Sequence, residues 1–212
     1  MKPDDLSKAG WRDALPASDT VQPTTVIGGE EVRFADIEGV LVRLPWVMEH
    51  ELASVARADR GYVASEMSSY LVSWLSRLEC PVLNRPSAMC LSGPGWRREQ
   101  WIHAAAKLEI PVKSVRRGST TPDTAEAPDG PVEVVTVVGG TAFGQVSAQG
   151  AQHALKLAQY AGVHLMSAVF SRSVLVNATG WPSLESDEVS NAVLEYLLRR
   201  PVTPSSSGAA PP

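Results

Sequence analysis

The chain has 212 residues, 44% of them hydrophobic and 20% charged, with a formal net charge of −4. That size supports one large domain or two small lobes with a real core. The acidic balance excludes a general nucleic-acid binder, which needs a basic stripe to displace counterions, and no apolar run approaches the ~18–20 residues of a membrane span. The opening MKPDDLSKAG lacks the apolar core of a secretory signal. Cys80 and Cys90 show neither CxxC nor zinc-ligand spacing. The expectation is two reduced, packed thiols in a cytoplasmic protein.

Residues 1–24 are polar and aperiodic and read as a loose arm. Thr25-Val26-Ile27 is β-branched and stops at Gly28-Gly29, a short strand; residues 31–37 alternate weakly, an edge strand. Residues 39–44 form a compact apolar run ended by Pro45, the pattern of a buried parallel strand. A short helix is expected over 49–57. A longer one, over 62–78, carries Met67, Tyr70, Leu71, Trp74, Leu75 and Leu78 on a single stripe. Residues 81–84 read as a short strand, 96–108 as a helix with Trp101, Ile102, Ala105 and Leu108 on one side, and 110–112 as the start of another strand. Strands alternating with helices predict an open parallel α/β sheet.

Residues 118–131, GSTTPDTAEAPDGP, have the composition of a linker. Beyond it come a β-branched strand at 132–138, a helix at 151–161, strands at 163–170 and 174–177 that make a natural hairpin, and a helix at 187–199. Residues 201–212 read as a disordered tail. The expected organisation is thus an arm (1–24), an α/β lobe (25–117), a linker (118–131), a smaller lobe (132–200) with a mainly antiparallel sheet, and a tail (201–212).

The order of short pieces carries further information. Val42-Arg43-Leu44-Pro45, Glu66 in the long helix, Leu83-Asn84-Arg85-Pro86, and residues 104–112 follow one another over 38–113. This stretch resembles the opening of the ATP-grasp enzymes, most closely those that join amino acids or macrocyclise ribosomal peptides. Residues 135–140, 154–162, 164–170 and Leu175-Val176-Asn177-Ala178 with Pro182 resemble the same family's close. The resemblance implies an N-terminal parallel α/β lobe and a smaller α+β lobe like the end of an ATP-grasp domain. It places Asn177 on the family's magnesium-binding asparagine and Leu175 on its metal-bridging glutamate. Residues 167–171 contain no acid where an aspartate is usual, and Arg97 or Arg98 stands for a lysine. Fewer than twenty residues separate 113 from 132, so the second lysine, the flexible loop and the adenine-binding segment have no sequence to occupy.

Magnesium held with ATP needs carboxylate oxygens near octahedral geometry, and leucine offers none. The expectation is a truncated, catalytically inactive ATP-grasp-like protein without cofactor or metal. It would act as a binding or scaffolding partner in peptide modification or another biosynthetic pathway. The alternative is one subunit of a split carboxylate–amine ligase whose nucleotide half lies on a second chain. A third reading is a small-ligand binder using the cleft near Arg43.

Arg43, Glu66, Asn84 and Asn177 are the candidate ligand residues. For Arg43 the choice is between bidentate anion binding and an ion pair with Glu66; Glu66 also reads as a plain helix-surface acid. Asn84-Arg85-Pro86 also reads as a turn. Gly139-Gly140-Thr141-Ala142-Phe143-Gly144 suggests a phosphate loop but lacks GK[ST], and a strand-to-strand turn with positive φ fits better. The four histidines sit in four different elements without ligand spacing. Trp46, Trp96 and Trp181 lie at element ends or loops, where tryptophan anchors protein interfaces. Removing a central domain bares apolar faces, so a homodimer or a stable heteromer is expected.

Overall fold

The computed structural model describes residues 1–12, 22–113 and 130–199. Most of the expected linker and all of the expected tail lie outside them. The fold is α/β: among the described residues, a parallel strand pair and a four-stranded antiparallel sheet are joined by helices, with an antiparallel hairpin at the N-terminal side.

That hairpin is β1 (Thr24–Ile27) and β2 (Glu30–Arg33). Gly28 and Gly29 link it with φ of 63° and 89°, the left-handed pair a tight hairpin turn requires. Residues 1–12, expected in the loose arm, pack against it. A 3-10 turn at Pro3–Ser7 buries Asp5, whose carboxylate accepts from the backbone N–H of Lys2 at 2.9 Å and of Gly28 at 3.1 Å. Trp11 donates its indole N–H to Asp5 O and sets its ring edge-on to Tyr70 and Trp74.

β3 (Val40–Leu41) runs parallel to β4 (Val82–Leu83), as the two apolar runs predict. The parallel sheet stops there. The expected strand at 110–112 gives a single parallel bridge from Val112 to Leu175, because Pro111 has no N–H to extend a ladder. The expected helix at 49–57 shrinks to a 3-10 turn at Glu49–Glu51. The carbonyls of Ala53 and Val55 bond the Arg60 guanidinium instead of a helical N–H. α1 (Arg60–Arg77) lays Leu71, Trp74 and Leu75 into the core over β3 and β4, on the predicted stripe.

α2 (Arg98–Lys107) buries Trp101, Ile102, Ala104 and Ala105. Its core partners belong to the larger sheet, not to the parallel pair. That sheet has the order β6-β5-β7-β8, all antiparallel, from β5 (Val132–Val138), β6 (Thr141–Phe143), β7 (Leu165–Ser171) and β8 (Val174–Thr179). α3 (Ala148–Ala161) is capped by Ser147, whose hydroxyl accepts from Gly150 N, and closed by Gly162 at φ 64°. α2 and α3 cover one face, around Val135, Val137, Met166, Ala168 and Phe170. α4 (Asp187–Leu197) covers one end of the other face, where Val189 and Val193 meet Val138, Leu165 and Leu83 of β4. This last cluster fastens the two sheets together. No helix among the described residues is long and apolar enough to cross a membrane.

Candidate functional site

Arg43 follows the carboxyl end of β3 and Asn84 follows that of β4. Such strand ends form the usual ligand crevice of open α/β sheets. Asn84 is 3% exposed. Its Oδ1 accepts from His164 N at 3.0 Å and Leu165 N at 2.8 Å, and its Nδ2 donates to Leu165 O at 2.8 Å. Two donors on one end and a carbonyl on the other fix the amide's orientation. Asn84 is therefore a bracket between the parallel pair and β7. Arg85 donates to the carbonyls of Leu75, Leu78 and Cys80, closing the C-terminal end of α1. The turn reading of this tripeptide describes what it does.

The segment after β8 meets the same place. Arg43 Nη1 donates to Pro182 O at 3.1 Å, and a Cβ on Gly180 would lie 3.9 Å from Asn84 Nδ2. Gly93, at φ 116°, would bring a Cβ within 3.3 Å of Asn84 Cβ. Arg43, Asn84 and the segment holding Trp181 thus share one junction between the sheets. Trp181 is 38% exposed there. Glu66 is exposed on α1 and, among the described residues, makes no ion pair with Arg43. Trp46 is exposed, with its indole N–H 2.9 Å from Met48 Sδ. Trp96 finds partners within the chain: its ring meets Trp101 edge-on at 4.8 Å and its carbonyl accepts the Trp101 indole N–H.

The Leu175–Asn177 pair is parted. β8 pairs Asn177 with Val169 but Leu175 with Phe170, so Val176 forms a bulge. In a regular strand residues i and i+2 share a face; the extra residue puts these two on opposite faces. Leu175 is fully buried in the α2–α3 core, whereas Asn177 is exposed on the other face. Arg98 Nε donates to Val176 O at 3.0 Å and so ties the bulge to α2. On the face that bears Asn177, Val132 and Val134 of β5 are also exposed, beyond the end covered by α4. Sequence reasoning missed this bulge, for which no residue type in 174–177 gives a signal.

Gly139 and Gly140 make a two-residue turn between β5 and β6, at φ 58° and 92°. The Gly139 N–H is held by His164 O at 2.7 Å, so it is not offered to an anion. The Tyr196 ring packs directly against Gly139. Among the described residues, no three His, Cys, Asp or Glu side chains gather in a metal-binding group. Cys80 and Cys90 are free and buried, and burial pushes the Cys80 thiol pKa up.

No family model matches the chain, and no curated protein matches it. Among solved structures, it is similar in fold to the macrocyclase MdnC bound with precursor peptide MdnA from Microcystis aeruginosa MRC. That match has a TM-score of 0.62 at 10% identity and covers 86% of this chain and 85% of the other. The macrocyclase MdnB from the same organism aligns at a TM-score of 0.47 and 10% identity, over 82% and 77% of the two chains.

Proposed function

We propose that this chain is a binding or scaffolding partner in a peptide-modification pathway. In this reading it keeps an ATP-grasp macrocyclase frame in truncated form and lacks ligase chemistry of its own. The observation that carries the proposal is the parting of Leu175 from Asn177. The position that would bridge the metal is a leucine sunk in the core, and its neighbour across the bulge faces the other way. A carboxylate–metal site of the ligase kind has no footing there. The fold likeness to a macrocyclase that binds a precursor peptide supports the peptide side of the reading.

The partner surface in this reading combines Trp46 and Trp181 with the open end of the sheet at Val132 and Val134, all exposed. Such apolar surface is covered by a second copy or by another enzyme of the pathway. The test is light scattering of the purified chain, alone and mixed with a full-length macrocyclase and its precursor peptide. A dimer or a mixed complex, weakened by Trp46→Ala and Trp181→Ala, supports the proposal. A monomer that joins neither would contradict it, and ATP turnover appearing only on mixing would favour the split-ligase alternative.

A further inference from the structure

A cavity of about 280 Å³ opens between residues 1–6, β3 and α1. Its wall is apolar, built from Ile37, Val40, Leu44, Leu71, Leu75 and Leu91 among others. Among the described residues, the charged side chains that line it are Lys2 and Arg43, and no acid does. Both cations are exposed, while Leu71, Leu75 and Leu91 are buried. The cavity is therefore apolar within and positive at its solvent side. Trp74 also forms part of the wall, and its buried indole N–H has no acceptor among the described residues. Arg43 is not used up by the chain: among the described residues its partner is Pro182 O, taken by one Nη1 hydrogen. The rest of the guanidinium fork remains for a ligand.

We propose that this cavity binds a small amphipathic anion, an apolar carboxylate whose body fills the pocket and whose head meets Lys2 and Arg43. An apolar cavity of ~150 Å³ holds a benzene ring, so this one takes a larger body, an aryl-alkanoate or a medium acyl chain. Charge complementarity selects the carboxylate over its neutral analogue. A guanidinium matches the two oxygens in a fork, and an ammonium adds a second charge-assisted bond. Binding here does not rest on the partner role proposed above: Arg43 also bonds Pro182 O beside Trp181, but the cavity lining includes neither Trp46 nor Trp181 nor the open sheet.

Calorimetric titration of the full chain with phenylbutyrate, and with phenylbutanol as the neutral isostere, tests the site. Phenylbutyrate should bind saturably. The double variant Lys2→Gln/Arg43→Gln should weaken it ~tenfold or more, to the level of the alcohol, whose affinity should not change. Val40→Phe, which fills the cavity, should abolish binding with an unchanged circular dichroism spectrum. Absence of saturable binding would overturn the proposal. So would equal binding of the acid by the wild type and the double variant, or its survival in a folded Val40→Phe protein.

Discussion

Asn84 commits three of the four hydrogen bonds its amide can make to the backbone of residues 164 and 165. Replacing it by leucine would strand two N–H groups and a carbonyl, each costing ~1–3 kcal/mol when left unpaired in a buried site. Asn84→Leu is therefore expected to lower unfolding free energy by about 3 kcal/mol in urea titrations; a loss below about 1 kcal/mol would reject the bracket role. Asp5 makes a second residue-scale prediction. Its pKa is lowered from 3.8, chiefly by the Lys2 N–H bond, with help from Gly28 N–H and Lys8 against the opposing effect of burial. A depressed folded-state pKa gives stability that is present above the ordinary carboxylate value and lost as pH falls through the folded value. The wild type should thus lose stability below pH ~4, and Asp5→Asn should be weaker at neutral pH with a flatter acid limb. Parallel acid limbs in urea midpoints against pH would contradict this. The role of Asp5 is not legible in the sequence. Asp5 reads as one acid in a polar stretch, and its partner Gly28 lies 23 residues on.

At the scale of elements, the strand–turn patterns were readable because each side chain there meets one local environment. The apolar stripe of α1 and the β-branched run of β5 announce themselves without knowledge of their partners. The double-glycine turn at 139–140 was readable for the same reason: its φ values demand glycine. Gly139→Ala is expected to cost about 2 kcal/mol or more from the left-handed backbone and the Tyr196 contact. A Tyr196→Ala background should recover part of that loss in a double-mutant cycle. What was not readable is the side to which an amphipathic helix or a strand residue turns. The stripe of α2 says only that it is buried somewhere, and it meets the antiparallel sheet. The bulge at Val176 depends on the register with β7, not on local composition. Hence Leu175→Glu would not rebuild a metal pair with Asn177. It would place an unpaired charge in a fully buried core position, costing ~3–5 kcal/mol in urea unfolding, with no gain in magnesium affinity by calorimetry.

Over the described residues, α4 closes the seam between the parallel pair and the larger sheet. Leu83 of β4, Val138 of β5, Leu165 of β7 and Val189 and Val193 of α4 form a shared cluster. A Cβ on Gly39 would come within 2.5 Å of Leu197 O, so the end of α4 rests on the entry to β3. The α/β class and the neighbouring strands at 40–41 and 82–83 were legible from order and spacing. The junction of Arg43 with Pro182 was not, since it joins residues 139 positions apart. An interface of standard size buries ~1,600 Å² in total, and under the proposed role light scattering at micromolar concentration should give more than the 22.7 kDa of one chain, either alone or after the partner enzyme is added. The proposed role requires that the isolated chain have no self-sufficient ligase chemistry. The decisive measurement titrates magnesium–ATP into the isolated chain by calorimetry and follows an added precursor peptide by mass spectrometry. The proposed role requires no binding heat and an unchanged peptide mass. Saturable ATP binding, with the peptide losing one water for each ring closed, would contradict it.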